Sequence, residues 1–296
     1  MTLASRTTPG LAIGILHAGP RPQELSLSRR MIDQGARVDL IDVRDVDVTA
    51  CDSYDCILNR IYTSTIFEQP RSILDRTLDV VRALELRGTF VASGLLSTLT
   101  DHSKLLAARL MTQQSVRTPT TVALTPDMVD RPPFLPAVVK PDVGAYGRDC
   151  TKVGSDEQWR ETVRCCDFTT PWICQRYARP VVDVDYRITI VFGEVVLAYS
   201  RELADGWPQV GGSSTKTDVL QTIDPEALGL ALRSSRAVGA FNNGVDLIID
   251  ERGPIIIENN PTFGFSPGSW KIDLVADKIV AFLTERARRL DSNRVR

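Results

Sequence analysis

The sequence lacks the residues that zinc sites and disulfide-stabilised scaffolds require. Only 2 of its 296 residues are His, and 6 are Cys. No two Cys form a CxxC pair, and they stand at Cys51, Cys56, Cys150, Cys165, Cys166 and Cys174. A structural zinc site needs closely spaced Cys or His ligands, and disulfide scaffolds are short, Cys-rich secreted chains. Both classes are therefore excluded, and we expect free thiols that pack inside a protein of the reducing cytoplasm.

The sequence also lacks an excess of charge of either sign and any long apolar run. Its formal net charge is −2, so electrostatics give no reason to expect a nucleic acid or an anionic membrane as partner. The N-terminal run LAIGIL is much shorter than a secretory signal requires, and no stretch approaches the roughly 20 apolar residues of a membrane span. We therefore expect a cytoplasmic protein with neither kind of partner.

Short β-branched runs alternate with helical periods along the first third of the chain. The runs LAIGIL, RVDLIDV, YDCILNRI and TFVAS, with helical stretches after the first and the third, predict a parallel sheet with crossover helices that ends near Ser93. A proline-rich connector, TPDMVDRPPFLP, precedes a unit with a glycine-bearing loop, and the rest reads as antiparallel strands and helices. Since domains usually hold about 100 to 200 residues, we expect an α/β (α+β) protein of several lobes.

The stretch GVDLIIDERGPIIIENNP, residues 244–261, sets three polar side chains into two strands that otherwise read as buried. If Asp246 faces Glu258 across a hairpin, Asn260 projects to the same side, because strand side chains alternate with period two. Opposed carboxylates repel unless a cation lies between them, and such an oxygen set suits Mg²⁺. An ordinary half-exposed hairpin with surface acids explains the pattern equally well.

The facing of these acids depends on the loop that joins the two strands. A three-residue loop, with Gly253 in the left-handed conformation, places the acids opposite each other. It also sends the apolar side chains of Ile255 and Ile257 to the other face. A two-residue loop is expected to send the acids to opposite faces and to remove the metal site.

Three further features fit an anionic ligand. Lys140 closes the apolar strand AVVKP, where an unpaired charge would be costly to bury. The loop DVGAYGRD follows, and its Gly144 and Gly147 allow backbone amides to approach phosphates, although a plain turn explains them too. It is neither a Walker sequence nor a dinucleotide fingerprint. Lys104 opens the helix SKLLAARLM and, taken alone, reads as a solvated lysine.

Arg187 lies among β-branched residues in DVDYRITIV, so its guanidinium must leave the sheet face or meet an anion. A phosphate or carboxylate would suit its fork geometry. The alternative is a structural salt bridge with Asp185 or Asp183.

The order of these parts resembles the ATP-grasp superfamily, and most closely its RimK-like branch of carboxylate-amine ligases. The parts are Lys104, Lys140 with its glycine loop, then QRY, DYR, GVD and ENN, and the resemblance covers nearly the whole chain. It implies an ATP-grasp fold, with an N-terminal open parallel-sheet domain over 1–95, a central lid subdomain over 96–180, and a C-terminal subdomain with the metal site over 181–296. The last two are expected to enclose the nucleotide.

The resemblance also implies roles for individual residues. Arg187 is similar to the arginine that steadies the transferring phosphate. The residues implied to hold ATP are the two lysines, the flexible loop and a hinge whose backbone reads adenine: Lys104, Lys140, Gly144, Tyr146, Gly147, Gln175, Arg176 and Tyr177. The implied ligands of Mg²⁺, or of Mn²⁺ in its place, are Asp246, Glu258 and Asn260.

The implied activity is ATP-dependent activation of a carboxylate as an acyl phosphate, followed by attack of an amine to form an amide. The expected partners are an amino acid or small carboxylate and an amine acceptor that is free, part of a peptide or borne by a carrier protein. A homo-oligomer is left open. Two alternatives are a noncatalytic ATP-binding regulator on the same fold and a sheet-based interaction module without nucleotide.

Three positions depart from the pattern of the family. The hinge has Arg176 where many relatives have an acid, and Asn259 replaces a valine between the metal Glu and Asn. The segment DGWPQVGGSSTK has the Gly-Gly pair but no asparagine before it. Substrate contacts are expected near Gln209, Ser213 and Lys216.

Overall fold

The computed structural model describes residues 10–203, 217–264 and 270–294. The chain forms two compact units. The first unit contains Met1–Ile61, Asp75–Leu95 and Gly264–Arg296, and the second contains Tyr62–Leu74 and Leu96–Phe263. The finer division into three domains stays a prediction.

The first unit contains a four-stranded sheet of order β2-β1-β3-β4 in which every strand pairing is parallel. The strands are β1 (Ala12–His17), β2 (Arg37–Asp42), β3 (Cys56–Asn59) and β4 (Val91–Ala92). Its helices are α1 (Pro22–Asp33), most of α2 (Ser72–Leu86) and α7 (Trp270–Arg294). The parallel sheet with crossover helices that the sequence predicts is confirmed.

The second unit contains two antiparallel sheets, and the smaller one has the order β5-β8-β6-β7. Its strands are β5 (Thr121–Leu124), β6 (Ala137–Pro141), β7 (Thr151–Val153) and β8 (Trp172–Arg176). Helices α3 (Leu95–Asp101) and α4 (Lys104–Gln113) precede this sheet in the chain, and α5 (Asp156–Cys165) lies between β7 and β8. The fully buried Trp159 of α5 packs with Ala137, Val139 and Cys174 on one face of the sheet.

The larger sheet has the order β11-β10-β9-β12-β13. Its strands are β9 (Val184–Val191), β10 (Glu194–Glu202), β11 (Thr217–Val219), β12 (Asn242–Asp250) and β13 (Gly253–Asn260). Helices α4 and α6 (Pro225–Ala237) pack against one face through a core that includes Ile188, Val245 and Leu247. Because strand side chains alternate, Arg187 and Asp246 point to the opposite face.

The hairpin of β12 and β13 corrects the predicted loop. The turn has two residues, Glu251 and Arg252, because Asp250 pairs with Gly253 rather than with Pro254. A β-bulge then shifts the register by one residue, so that Leu247 pairs with Ile256 and Asp246 pairs with Glu258. The extra residue is Ile257. A bulge places two residues opposite one, and this restores the facing of the acids that a two-residue loop alone would have removed.

The same bulge corrects the predicted apolar face of β13. The residue that enters the core under α4 and α6 is Ile256, together with its partner Leu247. Ile255 pairs with Ile248, which shares the face of Asp246 because it lies two residues along β12. The prediction that Ile255 faces away from the acids is therefore wrong, and Ile257 is the residue of the bulge itself.

The described ranges contain three short 3₁₀ helices, Ala50–Ser53, Thr63–Phe67 and Pro126–Asp130. Across those same ranges, no helix combines the length and the apolar character that crossing a membrane requires.

Candidate active site

Asp246 is the centre of a charged cluster on the face of the larger sheet that is turned away from the helices. The Nε of Arg187 and the Nη2 of Arg201 each lie 2.7 Å from Asp246 Oδ1. The amide nitrogen of Asn260 donates to Asp246 Oδ2 at 3.0 Å. The Asp246 carboxylate is buried and receives donors from three different strands, so its position is well determined.

Arg201 is a functional candidate that sequence reasoning missed. Its Nε and Nη2 donate to the two oxygens of Asp185 at 2.7 and 2.8 Å, which forms a bidentate pair. Burial raises the pKa of Asp185, although the hydrogen bond and charge of Arg201 act in the opposite direction. Burial alone would lower the pKa of Arg201. The carboxylates of Asp246 and Asp185 outweigh burial, so the pKa of Arg201 is raised. The salt bridge predicted as the alternative for Arg187 is thus made by Arg201, and Arg187 pairs with Asp246.

A second β-bulge, in β10, explains why the sequence does not predict the pairing of Arg201 with Asp185. The β9–β10 turn is Phe192 and Gly193, and the register shifts between Val195 and Leu197. Without that shift, the turn would set Arg201 opposite Val184. The shift brings it opposite Asp185. A bulge leaves no clear signal in strand periodicity, so the turn alone predicts the wrong partner.

The three predicted metal ligands, Asp246, Glu258 and Asn260, lie together near one end of the β12–β13 hairpin. Asn260 Nδ2 donates to Gly244 O at 2.9 Å and to Asp246 Oδ2 at 3.0 Å. Because the amide nitrogen makes both hydrogen bonds, the amide oxygen is the atom that could bind an ion. The side chain of Glu258, 37% exposed, can reach an ion from across the hairpin. In the part of the chain that the structure describes, no three His, Cys, Asp or Glu side chains form a metal cluster. Two carboxylates and one amide oxygen fit Mg²⁺, which keeps waters and substrate phosphates as its other ligands.

Lys140 lies on the smaller sheet, on the face opposite the one that α5 covers, because it alternates along β6 with the core residue Val139. It is 8% exposed, and its Nζ donates to Gln175 Oε1 at 3.0 Å. The Nε2 of Gln175 donates in turn to Thr121 Oγ1 at 3.0 Å, which orients the amide. Burial lowers the pKa of Lys140, with the charges of Glu258 and Lys104 acting in opposite directions. An anionic ligand would favour its charged form, as the sequence suggests.

Lys104 joins the two halves of the site. Ser103 caps α4, so Lys104 is the first residue of that helix. The Lys104 Nζ donates to Gly144 O in the glycine loop at 2.5 Å and lies 3.5 Å from Glu258 Oε1. Lys104 therefore links the glycine loop to the β12–β13 hairpin, and it is not a lysine surrounded by solvent.

The glycine loop is anchored at its start and strained near its middle. Asp142 accepts from Ser103 Oγ and from the backbone N–H of Leu105, both at 2.8 Å, which ties the loop to the N-terminus of α4. Tyr146 and Gly147 have φ values of 56° and 52°. A non-glycine residue in the left-handed region is uncommon and marks a constrained loop.

The predicted hinge is only partly arranged for adenine. The guanidinium of Arg176 lies over the Phe134 ring at 4.7 Å, on the helix side of the sheet. The backbone N–H groups of Arg176 and Tyr177 donate to Thr120 O at 2.8 Å and Pro136 O at 3.0 Å. A base at this hinge would therefore meet carbonyl groups or a later N–H rather than these two donors.

Asn259, a departure from the family pattern, lies on the opposite face of β13 from the acids. Its Oδ1 accepts from Ser234 Oγ at 3.1 Å and from Asn243 Nδ2 at 2.7 Å. The Oδ1 of Asn243 accepts from the backbone N–H of Asn260 at 3.0 Å. These buried hydrogen bonds thus support the backbone of Asn260 from the opposite face of the sheet. The predicted substrate contacts near Gln209, Ser213 and Lys216 lie outside the described residues.

The arrangement brings part of the predicted residues into two connected groups, and Lys140 with Gln175 forms a separate pair. Arg187, Asp246 and Asn260 form one group, and Lys104, the glycine loop and Glu258 form the other. Both groups belong to the second compact unit. Cations next to an oxygen-ligand platform suit a bound phosphate chain with its metal.

Comparison with known proteins shows what the chain is similar to. The family description that matches is the RimK-like ATP-grasp domain, over residues 101–283. A protein of Xanthomonas campestris pv. campestris named "Probable alpha-L-glutamate ligase" is 31% identical over 217 residues, which are 71% of this chain and 74% of the relative.

Solved structures show the same fold at low sequence identity. The RimK domain protein ATP-grasp from Sphaerobacter thermophilus aligns with a TM-score of 0.66 and 14% identity, covering 90% of this chain and 98% of that one. The ATP-grasp ligase PsnB, complexed with a minimal precursor, Mg and ADP, aligns with a TM-score of 0.65 and 14% identity, covering 92% and 98%.

Proposed function

Because the chain belongs to the RimK-like ATP-grasp family of C–N ligases, we propose that it activates a carboxylate with ATP as an acyl phosphate and transfers the acyl group to an amine. One observation carries the proposal. The Lys104 ammonium contacts both Gly144 O in the glycine loop and the Glu258 carboxylate, so the proposed phosphate-binding loop and a proposed metal ligand meet at one cation.

The side chains of this site suit phosphoryl transfer, which needs alignment and charge neutralisation more than covalent help. Lys104 and Lys140 neutralise the phosphate chain of ATP. Arg187 binds Asp246 through Nε, so its two Nη groups can point towards the transferring phosphoryl group. Arg201 adds a second guanidinium, held in place by Asp185.

Asp246, Glu258 and Asn260 are the proposed ligands of Mg²⁺, with Mn²⁺ as a substitute. A bound divalent ion would supply positive charge that stabilises the transferring phosphoryl group. The chain itself holds these ligands ready, because Arg187, Arg201 and Asn260 fix Asp246 and the hydrogen bond to Asn243 supports Asn260.

The proposed acid substrate is an amino acid, and glutamate is the first candidate. Support comes from the relatives named "Probable alpha-L-glutamate ligase". The proposed acceptor is an amine, free or on a peptide. Support for a peptide comes from the structural neighbour PsnB, which is described in complex with a precursor peptide.

The experiment is a two-substrate screen. ATP and Mg²⁺ are incubated with glutamate and with other amino acids in pairs, or with peptides, and ADP formation and product mass are measured. A ligase forms ADP and amide together, and only when acid and amine are both present. ATP binding without any product across the screen would instead favour a noncatalytic regulator, and no rise in thermal stability with ATP would exclude a nucleotide site.

A further inference from the structure

The glycine loop contacts a segment that the proposed reaction does not yet use, the 3₁₀ helix Thr63–Phe67. The guanidinium carbon of Arg148 lies 4.3 Å from the centroid of the Phe67 ring. The ring centroids of Phe67 and Tyr146 lie 6.1 Å apart, with the planes tilted by 32°. Both separations fall within the range of favourable cation–π and aromatic contacts. One phenylalanine therefore contacts two side chains of the loop.

The 3₁₀ helix has a fixed position beside the N-terminus of α4. The backbone N–H of Thr63 donates to Asp101 Oδ2 at 2.8 Å, and the Thr63 hydroxyl donates to Asp101 O at 2.6 Å. Asp101 ends α3, two residues before the Ser103 cap of α4. Phe67 is thus carried on the same frame as Lys104.

These contacts tie the loop at two places. The start of the loop is held by the hydrogen bonds of Asp142 to Ser103 and Leu105. Its far part is held by the ring of Phe67. Phe67 and Tyr146 are 36% and 54% exposed, so the second attachment lies at the surface and can open without disrupting the core.

We propose that Phe67 is a positioning residue for the ligase reaction, and that it holds the far part of the glycine loop closed over the phosphates. The proposal rests on the proposed function for its chemical consequence. An acyl phosphate hydrolyses if water reaches it before the amine does. A loop that stays closed directs the activated acid to the amide, so Phe67 governs the share of consumed ATP that yields product.

The first test measures amide hydrogen exchange of residues 144–150 in the protein without nucleotide. Phe67→Ala is expected to speed exchange there by about tenfold, the size of effect that these ring contacts provide. Phe67→Tyr, which keeps a ring, should restore the slow rate. Phe241→Ala is the matched control, because Phe241 is 41% exposed and its ring pairs with the Phe192 ring at 5.8 Å, beside the β9–β10 turn. Unchanged exchange in Phe67→Ala would overturn the proposal.

The second test measures phosphate released per amide formed, together with KM for ATP and kcat. Phe67→Ala should raise that ratio several-fold and raise KM, while Phe67→Tyr and Phe241→Ala behave as wild type. Phe67→Leu keeps a large apolar side chain without a ring and serves if the alanine variant does not fold. Faster exchange with an unchanged ratio would show a merely structural contact and would refute the positioning role. If wild type forms no amide at all, the proposed function fails, whereas the exchange result still judges the contact.

Discussion

The two sheets of the second unit hold opposite charges in opposite ways. On the smaller sheet, the buried Lys140 ammonium donates to the neutral amide of Gln175. On the larger sheet, the Asp246 carboxylate receives two guanidinium groups and one amide. The acid is thus compensated by full positive charges within the protein. The lysine has a neutral hydrogen-bond partner and only longer-range help from carboxylates such as Glu258.

The difference shows which side of the site depends on ligand charge. Burial lowers the pKa of Lys140, as expected where a cation is poorly compensated. The carboxylates of Asp246 and Asp185 raise the pKa of Arg201 against the effect of burial, as expected where cation and anions are matched. The larger sheet therefore preorganises Asp246 and Asn260, two of the proposed metal ligands, and the smaller sheet leaves the lysine to be stabilised by an anion.

Removing Arg201 should break the compensated side and give the largest effect. Arg201→Met leaves Asp185 and part of the charge of Asp246 buried without their cation, so we expect a loss of about 3 kcal/mol in the free energy of unfolding. Arg160→Met is the matched control, because the Arg160–Asp130 pair has side chains 44% and 68% exposed and should contribute less than about 1 kcal/mol. Urea unfolding measures both. Equal losses in the two variants would contradict the comparison.

Glu258→Gln tests the acid that contacts a lysine rather than an arginine. Residues outside the direct ligands of a metal usually contribute about 10- to 100-fold to metal affinity or activity, so loss of Glu258, a proposed direct ligand, should lower Mg²⁺-dependent kcat/KM by at least about 100-fold. The fold should persist, since Glu258 is half-exposed. Glu251→Gln, in the exposed turn of the same hairpin, is expected to behave as wild type. Wild-type turnover in the Glu258 variant would remove this residue from the site.

Asn259→Val tests the buried hydrogen bonds on the face of the larger sheet opposite Asp246. Valine cannot accept from Asn243 Nδ2, and a buried donor left without its partner costs about 1 to 3 kcal/mol. The Ser234 hydroxyl keeps Ala231 O as an acceptor at 2.9 Å. We expect a loss of about 1 to 2 kcal/mol in the free energy of unfolding, and weaker Mn²⁺ binding because Asn243 also holds the backbone of Asn260. Thermal unfolding and Mn²⁺ titration provide the measurements. A more stable variant would show that these hydrogen bonds add no net stability.

Lys140→Met should give the smallest and most pH-dependent effect. Because the pKa of Lys140 is lowered from its ordinary value of 10.5, the unfolded chain keeps the lysine proton at pH values where the folded chain has lost it. The penalty for burying the charge is fully present below the folded pKa and is relieved as pH rises towards 10.5. Wild type should therefore gain stability relative to the variant, by at most about 1.4 kcal/mol per pH unit. A constant difference across alkaline pH would show that the lysine pKa is not lowered.

Sequence reasoning succeeded where strand alternation and burial alone decide the outcome. The burial of Lys140 at the end of an apolar strand and the parallel sheet of the first unit are both visible in the pattern of residues. The facing of Asp246 and Glu258 was also predicted, but from a loop one residue too long. The bulge at Ile257 compensates for the shorter turn.

Sequence reasoning failed where a β-bulge changes the register of a strand, or where a side chain contacts a residue distant in the chain. The bulge between Val195 and Leu197 brings Arg201 opposite Asp185, and no periodic pattern marks it. Arg176 stacks on Phe134, a contact between residues far apart in the chain that only the fold defines. Pair contacts of this kind need three-dimensional information.

The hairpin contains one residue more than the pairing of its acids requires. Deleting Ile257 would leave Leu247 opposite Ile256 and Asp246 opposite Glu258, now as an uninterrupted ladder with a smaller local twist. The neighbours of each oxygen ligand would stay the same while the direction of the strand end changed. A chain shortened by this single residue would therefore change the orientation of the proposed metal ligands while keeping their identity, which ordinary side-chain substitutions cannot do.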